Sequence, residues 1–172
     1  DSSGLSMEDK QVLKAAKEVF DRCVTPGMSD YDKELALYAW LTGNVAYDQT
    51  HYEKQGAPRS SYEPYGPLVK GKGVCLGFAT AFQLLMDMAD IECITITGAA
   101  FMNRENHAWN MVRLSGEWYC VDPTWDLNPG INQDGEFVYG YFNVTSDIMA
   151  DTDHQWDYDA VPEATAEDCG RP

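Results

Sequence analysis

The stretch GKGVCLGFATAF, residues 71 to 82, sets one thiol between glycines and an apolar run. Gly71, Gly73 and Gly77 permit unusual dihedrals and close approach on either side of Cys75, so something is expected to come near this sulfur. A helix starting at Cys75 would aim its unpaired N–H groups and the positive end of its dipole at the sulfur, which favours thiolate over thiol. Free cysteine titrates near ~8.5, and helix N-termini with an imidazolium nearby bring such thiols to roughly 3.5–7.5. A lone cysteine is more often packing than chemistry, so the nucleophile needs a base and an orienting group beside it. If Ser115-Gly116 is a two-residue hairpin turn, Leu114 pairs with Glu117 and Asp122 opposes Trp109. His107 then lies two residues from Trp109 on the same face, a diagonal neighbour of Asp122 within side-chain reach. A loop one residue longer would put the two on opposite faces. The chain order Cys75, His107, Asp122 is that of nucleophile, base and orienter, with the Cys75 amide as an oxyanion donor. Tyr47, Tyr62 and Tyr65 are candidates for a second donor.

The elements that must position these groups follow from the periodicity. A helix is predicted over 6–22 from the Ser6 start and the spacing of Val12, Leu13, Ala16, Val19 and Phe20. A second helix opens at Ser29 and Asp32 and closes at Gly43. Residues 44–73 read as irregular chain, functional or partly disordered. The third helix carries the stripe Phe78, Ala79, Phe82, Leu85, Met86 and Ala89, so it is expected to lie buried against the core. Beyond it the period becomes two in "IECITITG", "HAWNMVRL", "EWYCVD" and "EFVYGYFNVT". Helices first and an antiparallel sheet second make an α+β fold, read as one domain over 1–172. Its core spans about 29–158, and an acidic surface extension runs over 160–172.

The blocks "GKGVCLGFATAF", "HAWNMVRLSGEWYCVDPTWD" and "YFNVTSD…DHQWD", preceded by "ALYAWLTGNVAYD", resemble in order and spacing the transglutaminase-like superfamily. This is the branch of papain-fold thiol enzymes common in bacterial surface and secreted proteins. The resemblance implies a papain-like core with the nucleophile at a helix N-terminus. It implies catalytic Cys75, His107 and Asp122, with Trp109 and Trp125 packed about the site, and Tyr65, Trp109 and Trp125 are candidates for substrate or oxyanion contacts. The shared chemistry is an acyl-thioester formed on a peptide or amide. Hydrolysis by a cysteine peptidase or amidase is set ahead of protein-glutamine transamidation, with a non-catalytic surface binding module as a third reading. No cofactor is implied. The expected partner is a peptide or protein substrate, cell-wall peptide among the candidates, and the expected location is secreted or at the cell surface.

The remaining chemistry-bearing residues read as structure. With 28 acidic against 12 basic residues the net charge is -16, which repels nucleic acid and anionic membrane. No run approaches the ~20 apolar residues of a membrane span. The five cysteines lack metal-finger spacing, and a Cys23–Cys169 disulfide is one pairing an oxidising compartment would allow. "DLNPGINQDGE" spaces oxygens that could hold calcium, yet it lacks the spacing of an EF-hand loop and reads as turns. His154, among acidic residues, is a weak metal signal; its place in the last block points to a structural contact. Cys93 and Cys120 fall in strands and are expected to be buried packing.

Overall fold

The computed structural model describes residues 4–102 and 104–172. Helices α1 (Met7–Cys23) and α2 (Asp30–Asn44) both start in capping boxes, with Ser6 and Asp9 exchanging bonds in the first and Ser29 and Asp32 in the second. Each box satisfies two amides that the helix start would otherwise leave open. Gly43, expected to close α2, sits inside its last turn, and the helix ends where the Val45 amide bonds the Leu41 carbonyl. Helix α3 (Cys75–Met88) follows, then a three-stranded antiparallel sheet in the order β3 (Cys93–Ala100), β4 (Glu105–Leu114), β5 (Glu117–Val121).

The sheet is covered on both faces. Val112 and Leu114 of β4 pack with Tyr119 and Val121 against Phe78, Phe82 and Leu85 of α3, along with Leu37, Tyr38 and Leu41 of α2 and Ala16 and Val19 of α1. Trp109, Met111 and Cys120 face the other way, onto Met149 of the short helix α4 (Ser146–Asp151) and onto Ala164. Cys93 and Cys120 are buried free thiols, Cys120 being pushed up to about 12 by burial.

Two expectations need correction. Residues 44–73 are structured: a parallel pair of two-residue strands, β1 (Ala46–Tyr47) and β2 (Lys72–Gly73), brackets two 3-10 turns and a π-helix over Gly66–Lys70. The buried Asp48 carboxylate ties this segment together by accepting from Ser61 and Thr50, and those bonds hold it down to about 2. "EFVYGYFNVT" supplies only a two-residue strand, Phe137–Val138, paired with Gly130–Ile131. Past that point Asp126 Oδ1 takes the Gly140 and Tyr141 amides and Asn143 turns to φ 53, so pairing with β5 is cut to the Cys120–Val144 bridge and the bond from the Asp122 amide to the Tyr141 carbonyl. The 160–172 segment lies at the surface and is tied down there: Ala164 is buried and exchanges hydrogen bonds with Ser146, while Tyr119 donates to Asp168 and Asn143 to the Cys169 carbonyl. Cys23 and Cys169 are free thiols, so these bonds do the tethering. Asn143, first of an Asn-Val-Thr triplet, is buried with its amide on Glu34, which leaves it closed to glycosylation.

Gly77 shows what one of the glycines flanking Cys75 is for. A Cβ there would lie 2.2 Å from the Ser61 carbonyl oxygen. The group that comes near is therefore the protein's own 59–62 turn, clamped over the start of α3. Alanine is the better helix former by ~1 kcal/mol, so propensity predicts that Gly77→Ala stabilises. Overpacking this close to fixed backbone costs ~3 kcal/mol and decides the sign: the net of about 2 kcal/mol is expected to lower the thermal midpoint by about 4–8 °C, as scanning calorimetry would read.

Candidate functional site

The hairpin between β4 and β5 turns at Ser115-Gly116 and pairs Leu114 with Glu117, Met111 with Cys120 and Asn110 with Val121. Continuing that register sets Trp109 opposite Asp122. His107 and Asp122 thus share the face that carries Trp109, and His107 Nε2 lies 2.6 Å from Asp122 Oδ2. Both side chains are almost wholly excluded from water.

Cys75 is the first residue of α3, half-buried, and lines the same cleft as the His107 ring, whose pKa it helps to raise. With Nε2 on Asp122, Nδ1 is the ring nitrogen left for the sulfur. Burial alone would lower the His107 pKa. The hydrogen bond to Asp122 and the influence of Cys75 outweigh it and raise the ring from 6.5 to about 9, so the imidazolium persists at neutral pH. Burial likewise opposes ionisation of Asp122, yet its bonds to His107 and His154 hold the carboxyl below the usual range. Asp122 is fixed from its own loop as well: Oδ1 accepts the Trp125 amide, and the Asp126 amide bonds the Asp122 carbonyl.

Two cavities meet at the sulfur. One, of about 420 Å³, is walled by Tyr47, Tyr52, Phe101 and Trp125. The other, of about 600 Å³, is walled by Tyr62, Leu76, Thr97 and Ala108. His51, exposed, borders both and contacts the Tyr62 hydroxyl at 2.9 Å. A substrate chain can thus run past Cys75 with groups on either side. Burial and a bond to Tyr52 push the Tyr47 phenol well up, leaving it a neutral O–H donor at the rim.

The other candidate residues separate. Trp125 is half-buried, lines the first cavity and lies 5.5 Å from the His107 ring. Trp109 is fully buried and stacked behind His107 at 5.7 Å, so it supports the ring from below and is not available as a substrate contact. Tyr65 borders neither cavity; it precedes the π-helix, with the Lys70 ammonium over its ring. Tyr47 and Tyr62 are the tyrosines among those three that reach the cleft. In the 126–136 loop, Asp126 turns inward to accept from Tyr38, and Asn132 caps the Asp134 and Glu136 amides.

Sequence reasoning missed the depth of His154. It is fully buried, and its Nε2 lies 2.8 Å from the same Asp122 Oδ2. The acidic residues around it suggest a solvated loop, and only its place in the "DHQWD" block hints otherwise. The ligand atoms of His107, Asp122 and His154 lie within 4.8 Å of one another. Contacts of 2.6 and 2.8 Å to a single oxygen are at hydrogen-bond distance, shorter than the spacing of ligands around one ion at Zn–N ≈ 2.0–2.1 Å.

A family model described as the transglutaminase-like superfamily core matches residues 17–123. The chain is 30% identical over 124 residues to the kyphoscoliosis peptidase of Mus musculus and 29% identical over 126 residues to that of Homo sapiens, 66% of this chain in each case. It spans only 18% and 19% of those relatives' lengths. Among solved structures, the crystal structure of a TGase superposes with a TM-score of 0.55 at 16% identity, over 77% of this chain and 37% of that one. This likeness is one of fold.

Proposed function

The chain belongs to the transglutaminase-like superfamily, whose members are in general cysteine-dependent enzymes, and on that premise we propose that it breaks peptide or amide bonds through an acyl-thioester on Cys75. The observation that carries this reading is the line of Cys75, His107 and Asp122 at the junction of two open cavities. In the forward step the Cys75 thiolate attacks the carbonyl carbon and forms a C–S bond. The oxyanion that develops is met by the Cys75 amide at the start of α3. As the C–N bond breaks, His107 Nδ1 gives its proton to the departing amine. Water then enters, His107 takes one of its protons as the water oxygen bonds the carbonyl carbon, the C–S bond breaks, and a carboxylic acid leaves with the Cys75 thiolate and the His107 imidazolium restored. Asp122 holds the ring in the tautomer that makes both transfers possible.

Water is placed ahead of an amine as the second nucleophile. Both cavities stand open beside the sulfur, and the two mammalian relatives carry the name peptidase. The test is a competition on a glutamine-containing peptide with a labelled primary amine at on the order of 1 mM. Free acid is expected in roughly tenfold excess over amine adduct. Adduct in excess overturns hydrolysis in favour of transamidation. Failure to trap any thioester on Cys75 overturns the acyl-enzyme reading itself and leaves a binding module.

A further inference from the structure

His154 is a polar ring with no contact with water, where a phenylalanine would fill the space without a desolvation cost. Trp125 packs on it at 4.3 Å and Trp109 at 5.0 Å, with Tyr141 and His107 completing the wall. Its Nδ1 faces the Thr152 carbonyl at 3.1 Å and its Nε2 faces Asp122 Oδ2. A carbonyl and a carboxylate only accept, and a neutral ring has one N–H to give; the charged carboxylate at 2.8 Å is the stronger acceptor than the carbonyl at 3.1 Å, so the proton sits on Nε2 and is donated to Asp122. The backbone holds it there. The His154 amide bonds the Met149 carbonyl, and Gln155 exchanges two bonds with Ala99 of β3. That bridge needs Gly98, where a Cβ would stand 2.1 Å from the Gln155 oxygen. The same oxygen of Asp122 therefore takes one imidazole from β4 and a second from the 152–156 segment.

We propose that His154 is a positioning residue that acts through Asp122: its Nε2–H fixes Oδ2 toward His107 and withdraws charge from it. A carboxylate that shares its charge with a second donor is a weaker base, so Asp122 stabilises the charged His107 ring less and the ring delivers its Nδ1 proton to a leaving group more readily. The other titratable groups in the field of Asp122 are Asp126 and Tyr38 beyond the 122–126 turn and Tyr141, with Asp153 facing Tyr141; on the open side Cys75 faces both His107 and Tyr47. None of these donates to Oδ2, so the effect is specific to His154. This inference rests on the triad reading above.

The experiment uses the full chain as wild type, His154→Phe and His154→Gln, with His107 followed by ring NMR over pH and peptide turnover measured alongside. His154→Phe keeps the ring volume and removes the donor. It is expected to lower kcat by about 10–100-fold with KM within about twofold, and to move the His107 titration to higher pH by roughly half a unit or more. His154→Gln restores an N–H and is expected to recover most of both. A folded His154→Phe with wild-type kcat and an unmoved His107 titration overturns the proposal, since packing alone is then its role. If His154→Phe does not fold, wild-type ring ¹⁵N spectra decide: a protonated Nε2 on His154 supports the donor assignment and a bare one overturns it. If wild type turns over no peptide, the function proposed above fails, while the NMR titration still reads the coupling of His154 to His107.

Discussion

Replacing Cys75 by alanine is expected to reduce kcat/KM on the order of 10⁶-fold while leaving the thermal midpoint within about 2 °C. The asymmetry comes from where the residue sits. As first residue of α3 its amide belongs to the unpaired helix start whichever side chain it carries, and alanine is at least as good a helix former. Its side chain is only half-buried and is absent from both apolar clusters, so little packing is lost. What disappears is the atom that forms the thioester, and none of the described residues lining the cleft replaces it: Tyr47 stays a neutral phenol. Cys75→Ser separates nucleophile from acid–base machinery. An alcohol paired to the same imidazole is a far weaker nucleophile at neutral pH, so most of the loss is expected to remain although a polar neighbour for His107 is kept. A Cys75→Ala protein that retains a tenth of wild-type turnover would remove the acyl-enzyme from consideration.

Much of this arrangement was legible before any coordinates, and the reason is that its parts are set locally. The Ser6 and Ser29 capping boxes declare themselves by a carboxylate three residues on. The α3 stripe has unbroken helical spacing, and all of Phe78, Ala79, Phe82, Leu85 and Met86 are buried. The Ser115-Gly116 turn sets a register, with Ser115 at φ 51 and Gly116 at φ 90 as the tight turn requires, and that register fixes which face His107 and Asp122 share. What stayed hidden is set by contacts remote in sequence. His154 reaches Asp122 across 32 residues through a bridge to β3 that no periodicity announces. Asp126 suppresses a strand at Gly140 by taking its amide, 14 residues away. The 44–73 segment holds its shape through Asp48 and Ser61 and through the room that Gly77 leaves, none of which follows from a loop-like composition. Alternation along β4 also misleads: the strand is central and buried on both faces along most of its length, so its pattern reports the two clusters it joins and not a wet face and a dry one.

Asp122→Asn is expected to lower kcat on the order of 10⁴-fold and to destabilise by about 3 kcal/mol, because no orientation of the amide suits this pocket. The carboxylate accepts three donors: His107 and His154 at Oδ2 and the Trp125 amide at Oδ1. With the amide nitrogen toward the rings, both imidazoles must present bare nitrogens, and His107 then carries its proton on the sulfur side, the wrong tautomer for a general base. With the amide oxygen toward the rings, its NH₂ opposes the Trp125 N–H, and two donors meet. The pH dependence separates this account from simple damage. In the wild type His107 is raised from 6.5 to about 9, so activity that needs its proton is expected to fall on an alkaline limb near pH 9. Without the carboxylate, burial prevails over the influence of Cys75, and the limb is expected to drop by more than one pH unit toward 6.5. The stability difference must follow the same groups. A raised His107 pKa contributes stability that is complete below 6.5 and is lost as pH climbs through about 9. A depressed Asp122 pKa contributes stability that is present above 3.8 and is lost as pH falls through its lower folded value. Denaturant melts of the two proteins are therefore expected to differ most between about pH 4 and 6.5 and to converge toward pH 9 and above. A difference that stays constant across that range would mean that Asp122 acts as a packed polar group and not as the counter-ion of His107.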